Sequence, residues 1–126
     1  VKYDNSKQSV SELSGGNVQK LIVGREFDYD PDLLIMNQPT RGIDVGAIEF
    51  IRKKIVDMRA RKKAILLVSA DLSEILSLSD TILVMHEGRI VGHISDVKNT
   101  SENDLGLYML GVKEDSKEQI GGAYCE

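Results

Sequence analysis

Two polar segments of this chain are of a type that handles phosphate groups in proteins. The first is a glycine-rich turn ahead of a helical pattern, made of Leu13, Ser14, Gly15, Gly16 and Asn17. A turn without side chains at a helix N-terminus presents backbone N–H groups and the positive end of the helix dipole, which together bind phosphate. The same residues are equally consistent with a simple helix cap, so the turn alone does not decide the chemistry.

The second segment is a pair of amides, Asn37 and Gln38, at the end of the apolar run 33–36. An aspartate at the end of a buried strand can hold a magnesium ion, and a glutamate beside it can polarise an attacking water. Amides keep much of the shape and hydrogen bonding of these acids, but they lack the charge that attracts a metal and are not bases. Taken alone, the pair is also compatible with an ordinary polar strand end.

Apolar periodicity predicts the elements that position these segments. Ser14 should cap a helix that ends before Pro31, and Asp44 should cap a second helix. The second helix has one apolar stripe, made of Val45, Ile48, Ile51, Ile55 and Met58. The all-apolar runs 33–36 and 64–68 predict two strands that are buried on both faces.

The rest of the chain predicts a short helix from Asp71 to Leu78 and a strand from Thr81 to Met85. A tight turn then leads into a return strand from Arg89 to Ile94. A last helix is predicted from Ser101 to Leu110. Residues 112–126 are polar, include Glu114, Asp115 and Glu118, and are predicted to form a loose hydrated tail.

This alternation predicts an α/β fold with a mostly parallel sheet, crossover helices and a terminal β-hairpin. Ligands of such sheets bind beyond the carboxyl ends of the strands. Asn37-Gln38 and Ser69-Ala70 occupy such ends, so we expect them to face one crevice.

Composition bounds the class of protein. The 126 residues are 41% hydrophobic and carry a net charge of −4, which gives no support to a nucleic-acid partner. The basic stretch 52–63 is interpreted as a solvated helix face, and His86 and His93 are too isolated to suggest a metal site. Cys125 is the only cysteine, which excludes an internal disulfide. The absence of an initial methionine suggests a segment of a longer chain.

The ordered combination of these motifs resembles the second half of an ABC-transporter nucleotide-binding domain, over about residues 11–94. Leu13 to Asn17 resembles the signature motif, Leu33 to Gln38 the Walker B strand, and Ile43-Asp44 lies in the D-loop position. Ser69-Ala70-Asp71 falls where the family has its switch histidine. The segment Pro39 to Ala47, and asparagine at position 17, are most similar to the second cassette of double-cassette importers for sugars and nucleosides.

Three departures from the family pattern bear on function. Asn37 stands at the Walker B aspartate, Gln38 at the catalytic glutamate and Ala70 at the histidine, so no catalytic residue of this cassette is intact. No phosphate-loop motif G-x-x-x-x-G-K-[ST] occurs in the chain. The resemblance therefore implies a partial P-loop NTPase fold, with residues 1–111 as the C-terminal half of the cassette and 112–126 as a tail.

The resemblance implies a division of labour between two cassettes that sandwich ATP head to tail. Ser14, Gly15 and Gly16 would serve the ATP of a sister cassette, whereas Asn37 and Gln38 would belong to a degenerate site. The implied cofactors are ATP and Mg²⁺ in the full-length protein. The implied partners are the sister cassette, membrane permease subunits and, indirectly, a solute-binding protein, at the cytoplasmic face of the plasma membrane.

The amide pair leaves an alternative open. A non-catalytic nucleotide-binding or dimerisation module with a regulatory role would show the same replacements. A soluble ABC ATPase of repair or translation is disfavoured, because the segment Pro39 to Ala47 matches importers.

Overall fold

The computed structural model describes residues 1–121. Their α-helices and strands up to Met109 follow the predicted order, whereas the helix Lys117–Gly121 lies in the predicted tail. The first compact unit covers Val1–Ser69. It contains helix α1 (Gly15–Asp28), strand β1 (Leu33–Asn37), helix α2 (Val45–Ala60) and strand β2 (Ala64–Val68). The second unit begins at Ala70. It contains α3 (Leu72–Leu78), β3 (Ile82–His86), β4 (Arg89–Ile94), α4 (Glu102–Met109) and α5 (Lys117–Gly121).

Local side-chain caps define where four of the helices begin. Ser14, Asp44 and Asp71 each accept a hydrogen bond from the backbone N–H three residues later. At α4, Ser101 and Asp104 form a reciprocal capping box. These caps satisfy N–H groups that have no partner inside the helix, and they confirm the predicted helix starts.

The first unit is a parallel β–α–β arrangement. β1 and β2 pair in parallel register from Leu33 opposite Ala64 to Asn37 opposite Val68, and α2 is the crossover between them. The buried side of α2 is formed by Ala47, Ile51, Ile55 and Met58. Val45 was predicted to belong to this stripe, but it is exposed. At 100° per residue, the first residue of the helix lies about 140° around the axis from Met58, so it points away from the core.

The prediction that β1 and β2 are buried on both faces is wrong. Leu34 and Met36 are buried, whereas the alternate residues Leu33 and Ile35 are more than half exposed. Leu66 and Val68 of β2 lie on the same exposed face. An apolar run shows which faces can be buried, and the elements described in this unit cover only one of them.

The second unit contains an antiparallel hairpin. β3 and β4 are joined by Glu87 and Gly88, whose φ angles of 47° and 76° give the left-handed turn that matches strand twist. We expected this hairpin to extend the parallel sheet, but β3 pairs only with β4 among the described residues. A tight turn specifies pairing between neighbours in sequence, whereas lateral pairing depends on distant strands.

Part of the predicted loose tail is ordered against β4, so that prediction is wrong for residues 113–121. Asp115 donates its backbone N–H to the Val91 carbonyl (2.8 Å) and accepts a hydrogen bond from the His93 N–H (2.9 Å). The buried Tyr108 hydroxyl donates to the other Asp115 oxygen (2.6 Å). The single acid Asp115 thus anchors the segment, while residues 122–126, including Cys125, lie outside the described residues.

Candidate functional site

Ser14 is held by a chain of hydrogen bonds that starts at the N-terminus. Asn17 Oδ1 accepts the Lys2 backbone N–H (3.0 Å), so its Nδ2 faces Ser14 Oγ and donates to it (3.1 Å). The Asn17 backbone N–H also points at Ser14 Oγ (3.4 Å). A hydroxyl oxygen has two acceptor lone pairs and one proton. With both lone pairs engaged by Asn17, the Ser14 proton is available for an acceptor outside the chain.

The two glycines that follow leave the helix start uncovered. The N–H groups of Gly15 and Gly16 have no acceptor among the described residues. A Cβ at Gly15 would have nothing within 4 Å, and one at Gly16 would meet only the Gly42 carbonyl at 3.6 Å. Nothing within the described residues therefore requires glycine here, although glycine is a poor helix former. The turn can accommodate the close approach of a phosphate group.

The start of α1 packs against the segment that follows β1. Gln19 Nε2 donates to the Pro39 carbonyl (3.2 Å), and Lys20 Nζ forms an ion pair with Asp44 Oδ2. The other Asp44 oxygen accepts the Ala47 N–H (3.0 Å). The hydrogen bond from Lys20, followed by that from Ala47, holds the pKa of Asp44 below its usual value. The structure thus brings the predicted residues Ser14–Asn17 and Asp44 into one contiguous region.

The role of Gln19 and Lys20 was missed by sequence reasoning. They lie 20 and 24 residues from their partners, and no periodicity links positions that far apart. The only available signal was that Lys20 follows the glycine-rich turn on the predicted helix.

The amide pair lies at the carboxyl edge of the parallel sheet. Asn37 is opposite Val68 on the exposed sheet face. Gln38 has a φ of 50°, which is uncommon for a residue with a side chain, and donates its N–H to the Val68 carbonyl (2.8 Å). The predicted neighbouring strand ends therefore lie side by side in β1 and β2. The pair offers only neutral amide oxygens and no carboxylate, so it lacks the negative charge with which acidic residues attract a divalent metal.

The remaining candidate residues lie apart from one another and do not form a second site within the described residues. Leu13 ends the 3-10 turn Val10–Glu12 ahead of α1. Ala70 is exposed and directly precedes Asp71, the cap of α3. His86 Nδ1 lies 2.9 Å from the Met109 carbonyl. Within residues 1–121, no three His, Cys, Asp or Glu side chains are grouped as a metal site would require.

Two residues of the basic stretch form ion pairs with aspartates that precede β1. Arg61 pairs with Asp30 (2.7 Å), and Lys63 pairs with Asp32 (2.9 Å).

Among residues 1–121, no helix has both the length and the apolarity needed to cross a bilayer.

Comparison with known proteins supplies the family. The chain is 52% identical over 110 residues to the guanosine import ATP-binding protein NupO of Bacillus subtilis. The matched region covers 87% of the chain and 21% of the relative. It is 52% identical over 103 residues to the nucleoside import ATP-binding protein NupA of Lactococcus lactis, covering 82% of the chain and 20% of the relative. The chain belongs to the ATP-binding cassettes of ABC transporters. It spans about a fifth of the length of these curated relatives.

Similarity to the sugar importers and to solved structures agrees with this assignment. The ribose import ATP-binding protein RbsA of Clostridium perfringens is 42% identical over 107 residues, covering 85% of the chain and 21% of that protein. The fold matches a solved ATP-binding subunit of an ABC transporter with a TM-score of 0.73 at 22% identity, covering 80% of the chain and 45% of that structure. A nucleotide-free cassette of an ABC transporter matches with a TM-score of 0.58 at 22% identity, covering 91% and 42%. No family profile matches the chain.

Proposed function

We propose that this sequence forms part of the second ATP-binding cassette of an importer for nucleosides or sugars. The observation that carries the proposal is the 52% identity to a guanosine import ATP-binding protein over 87% of the chain. A nucleoside import relative has the same identity, and a glucose import relative is 49% identical over 86% of the chain, so nucleosides and sugars are both candidate cargo classes.

The turn Ser14–Asn17 acts in trans in this proposal. The Ser14 hydroxyl and the N–H groups of Gly15 and Gly16 hold a phosphate of the ATP that is bound by the sister cassette. The free proton of Ser14 and the uncovered helix start support this role. Asp44 is the D-loop residue, and its contact with Lys20 keeps it beside the turn.

The cassette's own site does not hydrolyse ATP in this proposal. Asn37 and Gln38 supply neither a metal ligand of the usual charge nor a base, and the alanine at position 70 supplies no imidazole. ATP with Mg²⁺ is therefore turned over at the sister cassette's site, and the residues of this chain contribute binding groups there. The amides specifically favour a second role for the degenerate site, in which it binds nucleotide without hydrolysis and regulates pairing of the cassettes.

The assembly implied by this function includes the sister cassette, two permease subunits and, indirectly, a solute-binding protein. The cassettes would lie peripherally at the cytoplasmic face of the membrane. The exposed apolar face of β1 and β2 supports a longer protein, because its Leu33, Ile35, Leu66 and Val68 require a covering layer.

The test uses the full-length ATP-binding protein in vesicles with its permease. Ser14→Arg places a long cation where the phosphate should bind, so we expect transport-coupled ATP hydrolysis to be abolished. Gln38→Ala should change the rate less than about twofold, because an amide is not a base. Ser11→Arg, at an exposed serine in the preceding turn, is the matched control for the added charge.

The outcomes separate the two roles. Near-normal hydrolysis after Ser14→Arg would contradict the role in trans. A large loss after Gln38→Ala would show that this cassette's own site is catalytic after all.

A further inference from the structure

One carboxylate joins the start of α1 to the start of α2. Asp44 Oδ1 accepts the Ala47 N–H and thereby caps α2, while Asp44 Oδ2 pairs with Lys20 of α1. Lys20 is six residues after Ser14 on the same helix, about 9 Å along its axis. The pair therefore links two short segments that carry different parts of the proposed site.

Two further contacts join the same two segments as this ion pair. Gln19 Nε2 donates to the Pro39 carbonyl (3.2 Å). Gly16 lies close to Gly42, since a Cβ added at Gly16 would be 3.6 Å from the Gly42 carbonyl oxygen. All three contacts connect α1 to residues 39–44, and no backbone hydrogen bond among the described residues joins these segments. Their relative position thus depends on side chains.

The ion pair is too exposed to contribute much to folding. The Asp44 side chain is 62% exposed and that of Lys20 is 26% exposed. Exposed pairs of this kind are screened by water and salt, so their removal seldom unfolds a protein. A large effect of removing this pair on activity would therefore report positioning rather than stability.

We propose that Lys20 is a positioning residue that couples the phosphate-binding turn Ser14–Asn17 to the D-loop segment through Asp44. This inference rests on the proposed function, in which the turn contacts the sister cassette's ATP. Without the bridge, contact of ATP with the turn no longer orients the residues at the start of α2. The chemical step slows, while groups that touch the nucleotide remain in place.

The test measures kcat and KM for ATP in the full-length transporter. Lys20→Met keeps the length of the side chain without its charge, and Asp44→Asn removes the charge while keeping a good helix cap. We expect each variant to lower kcat by about threefold to thirtyfold with KM within twofold. The double variant should lose no more than the more severe single variant, and Lys20→Arg should restore at least half of the rate.

Two outcomes would overturn the inference. One is a wild-type kcat for both single variants, and the other is a double variant whose loss equals the product of the single losses. Ser14→Arg in the same preparation separates this inference from the proposed function. If Ser14→Arg abolishes hydrolysis while the bridge variants do not change it, only the coupling is wrong. If Ser14→Arg hydrolyses ATP normally, the proposed function fails and the inference with it.

Discussion

Gly92 should be replaceable by alanine only at a clear cost in stability. It lies in β4 and is buried against the ring of Tyr108. An alanine Cβ at this position would lie 2.8 Å from Cδ1, 3.0 Å from Cε1 and 3.2 Å from Cγ of Tyr108. These distances are well inside ordinary carbon–carbon contact, which is about 3.5–4.0 Å.

The Tyr108 ring has little freedom to move away. The residue is 5% exposed, and its hydroxyl donates to Asp115 Oδ1 at 2.6 Å. Lys113 Nζ lies over the same ring, 4.8 Å from its centroid. Added methyl groups in a well-packed core typically cost 1–3 kcal/mol, so we expect Gly92→Ala to lower the free energy of unfolding by about 2 kcal/mol.

The assay is urea denaturation of the purified protein, followed by circular dichroism. Gly106→Ala is the matched control, because Gly106 lies inside α4 and a Cβ there would have nothing within 4 Å. The control should be stabilised by about 0.5–1 kcal/mol through helix propensity. Unchanged stability of Gly92→Ala would refute the packing argument. If Gly92→Ala still destabilises the protein by the same amount in a Tyr108→Ala background, the ring is not the cause.

Two further predictions concern pH and the phosphate-binding turn. Burial, and next the hydrogen bond to Asp115, raise the pKa of Tyr108 to about 12; its contribution to stability should be complete below about pH 10 and be lost as the pH rises through 12. In an alkaline denaturation series, the stabilities of the wild type and Tyr108→Phe should therefore differ by a constant amount below pH 10 and converge towards pH 12, and a difference that stays constant up to pH 12 would contradict this. Asn17→Asp should lower hydrolysis by about tenfold or more, because a carboxylate accepts the Ser14 proton that the phosphate would otherwise receive. Asn17→Gln should be milder, and equal rates for the two variants in steady-state assays would show that the Asn17–Ser14 hydrogen bond does not direct that proton.

The helix starts, the order of the strands along the chain and the hairpin turn were predictable because their causes are local. Ser14, Asp44 and Asp71 cap their own helices within three residues. The hairpin turn depends only on the local backbone conformations of Glu87 and Gly88, which both have positive φ angles. The amide pair 37–38 was likewise visible in the sequence, since the absence of acidic side chains does not depend on folding.

The burial of individual residues was not predictable in the same way. The apolar runs of β1 and β2 did not show that only one face would be covered, because cover depends on which elements pack there. Asp115 was read as a hydrated tail residue, yet it accepts hydrogen bonds from Tyr108 and His93. Partners more than a few residues apart are chosen by packing, which local patterns do not record.

The sequence by itself determined the class of fold, the glycine-rich turn Ser14–Asn17 at a helix start and the absence of charge at Asn37 and Gln38. These properties depend on residue types and short spacings. Only the tertiary structure decided that Lys20 reaches Asp44 and that Asn17 occupies both lone pairs of the Ser14 oxygen. The physical reason is that a hydrogen bond or an ion pair depends on distances and directions between atoms, which exist only once the chain has folded.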